Sequence, residues 1–395
     1  MSTLNFSYFD CDNHYYEATD AFTRHIEPQY AKRTMQWATV NGKLRLLVGG
    51  AINHFIPNPQ FDPVSKPGAL DEYFRGRNPK GQDTRELFGE LDPISPAYRD
   101  RDARIALMDS QGMGGAIFLP TLGVGMEQAL INDVPAMLAA FRSFNRWMNE
   151  DWGFSYQERI FAAPYITLVD PQNAVNELTW ALEQDARFIV MVPGPVMTPA
   201  GGRSPADPMF DGFWQLANDS GITVLYHGGD SRYSNYLVDW GEGGHTESFR
   251  ANAFRGIASP NATQDTLGNL LAHGHFHKFP NLRVGVIETG SDWVFHLYDK
   301  LKKSYGQVPY LYPEDPRETF KRHVWVSPFY EDDLAGLKDL VGVDRMLMGS
   351  DYPHAEGLED PGSYIKDLKN FNFTDDECRK VMRDNGMELA SRKPA

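Results

Sequence analysis

The sequence predicts an α/β fold, a (β/α)8 TIM barrel with a long insertion after its first strand and a second after its fifth. Two observations predict it. Short apolar runs of the kind that form buried parallel strands recur along the chain, with helix-period segments between them. There are eight such runs, and the links from helix back to strand are short, which favours a closed barrel over an open doubly wound sheet. The 395 residues, 42% hydrophobic and 23% charged, suffice for one core with insertions, and 1–395 is read as a single domain.

The first strand is YFDCDNH at 8–14. Residues 15–100 then leave the rhythm. They are rich in Pro, Gly, Arg and aromatics (NHFIPNPQFDPVSKPG, EYFRGRNPKGQD) and would depart from the C-terminal face of the barrel, so they read as a lid or pocket wall. A helix at Asp102–Gln111 precedes strand two, GGAIFLPT at 114–121. The helix Pro135–Trp152 leads to strand three, IFAAPYITL at 160–168, and the helix Pro171–Asp185 to strand four, FIVMVPG at 188–194. Pro208–Ser220 precedes strand five, TVLYHG at 223–228, after which 229–262 form the second insertion. Thr263–Lys278 precedes strand six, RVGVIETG at 283–290, and Asp292–Ser304 precedes strand seven, HVWVSPF at 323–329. Asp332–Val341 precedes strand eight, MLMGSDYP at 346–353.

A net charge of −15 and a pI of about 5.2 argue against nucleic acid or an anionic membrane as partner and leave a small-molecule substrate. Two cysteines, Cys11 and Cys378, make neither a disulfide framework nor a thiolate cluster. With no secretory pattern and no apolar stretch near the roughly 20 residues that span a bilayer, the chain reads as cytoplasmic.

Polar residues that close apolar strands carry the chemistry. Asp10, Asp12 and His14 alternate onto one face of strand one, and Asp12 and His14 stand at its C-terminal end. His227 ends strand five before two glycines, and Asp351 ends strand eight, where a buried carboxylate needs a partner. In a closed barrel strand eight adjoins strand one and strand five faces them across the mouth. Two imidazoles and two carboxylates converging there suit Zn²⁺ first, and also Mn²⁺ or Fe²⁺. Glu288 ends strand six and projects into the same mouth as a fifth ligand, a general base or the partner of an arginine. His354, three residues after Asp351, is a pocket candidate. Tyr73, Arg75 and Arg77 of the first insertion would suit an aromatic acid, although such residues are also common in solvated loops. His273, His275 and His277 precede strand six, at the opposite end of the barrel, and read as surface or helix-end histidines.

These residues, with ARIALMDSQGM, FNRWMNE, HKFPNLRVGVIETGSDW and VDRMLMGSDYPHAEG, resemble the amidohydrolase superfamily over nearly the whole chain. The resemblance is to its amidohydrolase-2 branch, which includes aminocarboxymuconate-semialdehyde and γ-resorcylate decarboxylases. It implies one divalent metal, usually zinc or manganese, a first ligand pair falling on Asp12 and His14, a strand-five ligand on His227 and a strand-eight aspartate on Asp351. It also implies a homodimer or homotetramer. The chain departs from the pattern at strand six, where Glu288-Thr-Gly stands in place of a histidine common in relatives. For that reason the sequence reading puts a metal-dependent hydrolase first, with Asp351, Glu288 and His227 as its catalytic residues and a metal-activated water attacking a carbonyl. Its alternatives are a non-oxidative decarboxylase of an aromatic or unsaturated acid, and a barrel that binds without catalysis.

Overall fold

A computed structural model describes residues 5–392, apart from 232, 234, 243–252, 255, 256, 259 and 260. Part of the insertion expected at 229–262 therefore lies outside the described residues. Eight parallel segments surround the barrel axis. Seven are strands: β1 (Tyr8–Tyr15), β2 (Met113–Pro120), β3 (Ile160–Ala162), β4 (Phe188–Met191), β5 (Thr223–His227), β6 (Arg283–Ile287) and β7 (Val324–Val326). Continuous parallel pairing joins β1, β2 and β3 in one arc and β4, β5, β6 and β7 in another.

Backbone hydrogen bonds close both gaps. Ile166 N donates to Val190 O and Val190 N to Pro164 O, both at 3.0 Å, joining the chain after β3 to β4. The eighth segment, 346–352, bridges β7 through Leu347 N to Val326 O at 2.8 Å and β1 through Cys11 N to Met348 O at 2.9 Å and His14 N to Tyr352 O at 2.8 Å. The fold is the barrel the sequence predicts.

Two strands are less regular than expected, for chemical reasons. Regular pairing of β3 stops at Ala162 because Pro164 has no N–H to give a ladder. The buried Asn145 side chain instead pins both backbone groups of Tyr165 at 2.9 Å. In the eighth segment, side chains replace ladder bonds. Ser350 N donates to Asp10 Oδ1 at 3.0 Å, Ser350 Oγ donates to Asp10 Oδ2 at 2.5 Å, and Asn385 Nδ2 donates to Met346 O at 2.7 Å.

The helix expected over Thr263–Lys278 is two helices, Ala262–Ala272 and His275–Lys278, broken where Gly274 turns left-handed at φ 63°. His275 is buried rather than at the surface, in a nest with Trp214 and Phe279 at ring distances of 4.8 Å. A further helix, Pro316–His323, ends where strand seven was expected to start. Inside the first insertion, Met35–Val40, Lys43–Val48 and Ala51–Ile52 form an antiparallel sheet. Its first turn is Asn41-Gly42, both at positive φ, the turn that matches strand twist in a two-residue hairpin. One hydrophobic cluster runs from Tyr8 to Ala390 and includes residues of every barrel segment.

Candidate metal centre

The C-terminal ends of β1, β5, β6 and the eighth segment bring five polar side chains to one point in the barrel mouth. His14 Nε2 lies 3.1 Å from Asp12 Oδ1, 3.4 Å from Asp351 Oδ1 and 3.9 Å from Glu288 Oε2. His227 Nε2 lies 3.0 Å from Glu288 Oε2 and 3.6 Å from Asp12 Oδ1. Single ligand atoms of Asp12, His14, His227 and Glu288 all fall within 4.8 Å of one another. Close backbone approach permits this. A Cβ on Gly349 would stand 2.6 Å from Asp12 Cβ, so only glycine lets the eighth segment pass the ligand strand. Glu288 and Asp351 both sit in the left-handed region, at φ 52° and 54°, a strained conformation that aims each carboxylate inward.

These donors suit a divalent cation. His227 Nδ1 donates to Gly228 O at 2.5 Å, so Nε2 is the nitrogen that faces Asp12 and Glu288. Among the described residues, the buried His14 Nδ1 has no hydrogen-bond partner. Burial alone would raise the Asp12 pKa, but the imidazoles of His14 and His227 overcome it and hold that carboxyl well below its usual range. Burial, aided by His354, pushes His14 down to about 4, leaving a neutral imidazole. Burial would lower His227 too, yet Glu288 and Asp12 outweigh it and raise it well above the usual value. Burial together with Glu288 and Glu356 raises Asp351. Carboxylates packed this closely in a buried site call for positive charge, which a divalent ion provides.

A chain of hydrogen bonds runs outward from Asp351. Its Oδ1 lies 2.6 Å from His354 Nδ1, and His354 Nε2 lies 2.9 Å from Thr121 Oγ1. The Thr121 hydroxyl donates its one proton to Tyr15 O at 2.8 Å, so it accepts from His354 Nε2–H. Behind the site the fully buried Arg104 donates to Asn13 Oδ1 at 2.7 Å and to His14 O and Ala97 O at 2.6 Å, locking the ligand strand. Asp10 does not join the cluster, because Ser350, Asn13 and the Asp12 amide occupy its oxygens.

A cavity of about 990 Å³ opens above the cluster, lined at its floor by His14, His227, Glu288, His354 and Glu356. Tyr73, Arg75 and Arg77 are not among its lining residues. Arg75 is held by Asp71 at 2.7 Å and Asp367 at 3.0 Å, Arg77 pairs with Glu72 at 3.2 Å, and Tyr73 packs edge-on against Phe74. The same insertion lines the cavity instead with Phe55, Phe61, Arg85 and Phe88. Sequence reasoning missed Arg104, Thr121 and Glu356. The signal for Arg104 is a lone arginine in the apolar stretch RIALM, and for Glu356 a carboxylate five residues beyond Asp351.

The solved amidohydrolase from Mycobacterium avium subsp. paratuberculosis K-10 is 39% identical, with a TM-score of 0.93 over 98% of this chain and 100% of that one. A dihydroxybenzoic acid decarboxylase from Polaromonas sp. JS666, solved with manganese and the inhibitor 2-nitroresorcinol, is 16% identical. Its TM-score is 0.54 over 82% of this chain and 93% of that one, a likeness of fold. The 2-amino-3-carboxymuconate-6-semialdehyde decarboxylase of Dictyostelium discoideum is 24% identical over 203 residues, 49% of this chain. That match spans about half the relative's length, 51%. The amidohydrolase family model matches residues 10–389, so the chain belongs to the amidohydrolase family.

Proposed function

We propose that the protein is a metal-dependent, non-oxidative decarboxylase of an aromatic or unsaturated carboxylic acid, in preference to the hydrolase favoured from sequence. The observation that carries this reading is the chain Asp351–His354–Thr121–Tyr15. With Thr121 accepting from His354 Nε2–H, one proton lies between His354 Nδ1 and Asp351 Oδ1, beside the ligand cluster. Decarboxylation needs a group that gives a proton to carbon, whereas hydrolysis needs an ionised base to take one from water. The names of the Polaromonas and Dictyostelium relatives support the same choice.

A divalent ion held by Asp12, His14, His227 and Glu288 would supply Lewis acidity toward the substrate carboxylate and a neighbouring oxygen. The dyad's proton forms the new C–H bond at the carbon that bears the carboxylate. The C–C bond then breaks, its electron pair returns to the unsaturated system, and carbon dioxide leaves. Tyr16 and Phe61, stacked with ring centroids 4.6 Å apart, help wall the cavity from water. Manganese is proposed ahead of the zinc expected from sequence. Two of the four donors, Asp12 and Glu288, are carboxylates, which manganese accepts as readily as zinc does, and manganese is bound in the Polaromonas structure.

Residues 1–395 are read as one domain that acts on a small molecule as a homodimer or homotetramer. The exposed pair Tyr310 and Leu311 supports a covered face, which light scattering tests. No helix among the described residues is long and apolar enough to cross a membrane, and a cytoplasmic setting is proposed from the unpaired, buried Cys11 and Cys378.

The test is to offer manganese-loaded enzyme a panel of hydroxybenzoates and unsaturated acids, with lactones, esters and amides beside them. Carbon dioxide release without water uptake is expected. Turnover of an ester, lactone or amide with no carbon dioxide from any acid would overturn the decarboxylase reading.

A further inference from the structure

The wall of the cavity above the cluster is built for a body much larger than one ring. Cavities of roughly 300–1,000 Å³ enclose drug-sized ligands, and this one, at about 990 Å³, stands at the top of that range. Its floor carries the ligand cluster, Asn58, Asp83 and Arg85 are exposed, and Asp230, Ser231 and Tyr233 add further polar groups to the lining. One wall is apolar, formed by Phe55, Ile56, Phe61, Phe88, Leu91 and Val124.

That wall is fixed in place. Phe61 is buried at φ 56°, a conformation strained for a bulky side chain, and is held by its N–H to Asn58 O at 2.9 Å and by its stack on Tyr16. Tyr16 in turn lies 5.7 Å, ring to ring, from His354 at an interplanar angle of 37°, so an aromatic surface runs from the proton-sharing dyad into the insertion. Phe55 rests against Gly125, where a Cβ would stand 2.5 Å from its ring. Strain kept at a cavity wall, with a glycine that admits the neighbouring ring, marks a surface shaped for a ligand.

We propose that the substrate is an acid with an extended apolar body of two or more fused rings, its carboxylate at the cluster and its body along the Tyr16–Phe61 surface and the Phe88–Leu91 wall. The proposal rests on the decarboxylase reading for the reaction, but the size and chemistry of the body rest on the wall alone.

The experiment is a binding ladder on manganese-loaded enzyme, read by calorimetry without turnover. The probes are 2-hydroxybenzoate, 3-hydroxy-2-naphthoate and a three-ring hydroxy acid of the anthracene series. Affinity is expected to rise roughly tenfold with each added ring, as expected for the apolar area each buries. Leu91→Ser, at a side chain 49% exposed and so safe for folding, and Phe88→Ala should each shrink the gap between three rings and one by several-fold. Equal or falling affinity along the series in wild type would overturn the proposal, as would a ladder untouched in both variants. Carbon dioxide release separates the two claims. Release from one-ring acids without a ladder sinks the extended substrate and keeps the reaction, and a ladder without release from any acid does the reverse.

Discussion

Arg104 shows how much of the candidate centre depends on a residue that touches none of the reacting groups. Its guanidinium is the donor for Asn13 Oδ1, His14 O and Ala97 O in a fully buried setting, with the faces of Phe118 and Trp152 around it. Arg104→Met leaves these acceptors unpaired and should cost about 3 kcal/mol in urea unfolding, with a loss of bound metal. Thr121 sets the His354 tautomer. Thr121→Val should lower kcat roughly a hundredfold with little change in KM, and Thr121→Ser should restore it. Recovery failing in the serine variant would show that only packing was lost. Glu17 is buried, its Oε1 accepting from Leu122 N and Gly123 N, and burial pushes its pKa up to about 7. A folded-state pKa above the unfolded one means that Glu17 favours the fold below about 4.5 and loses that contribution as pH rises to about 7. Glu17→Gln should flatten that part of the Tm–pH curve. Some of this was legible in the sequence. Asp12, His14, His227, Glu288 and Asp351 end apolar strands, and barrel closure alone brings such residues together. Thr121 and Glu356 were not legible, because their place depends on where loops fold back. Nor could the sequence separate Arg75, consumed by Asp71 and Asp367, from Arg85, which lines the cavity.

Among the elements, the long strands and their order could be read from apolar runs, while the irregular ones turn on single side chains. Asn145 and Pro164 shorten β3, and Asp10 and Asn385 replace part of the ladder of the eighth segment. Neither effect leaves a periodic trace. The hairpin in the first insertion did leave one, Asn41-Gly42 between Val40 and Lys43, which the Pro- and Gly-rich context masked. Two glycines separate backbone need from packing need. Gly274→Ala meets nothing nearer than Pro313 Cγ at 3.7 Å, so its cost should be the left-handed conformation alone, about 1 kcal/mol, with metal binding intact. Gly349→Ala drives a methyl group against Asp12 and Ser327 and should reduce metal content as well as stability. Equal metal loss in both variants would show that the tight passage at Gly349 has no bearing on the centre.

For the whole molecule, metal binding is expected to be part of folding stability. The buried carboxylates of Asp12 and Asp351 and the half-buried one of Glu288 repel one another, and an ion bound only by the native state stabilises it in proportion to the logarithm of its free concentration. Chelation should therefore lower Tm, and added manganese should restore it. The most direct test is elemental analysis of purified protein, wild type beside His227→Ala. About one equivalent of manganese or zinc per chain, lost in the variant while the fold persists, is the predicted result. No metal in wild type even after reconstitution, or an equal load in both proteins, would contradict the centre and the chemistry built on it.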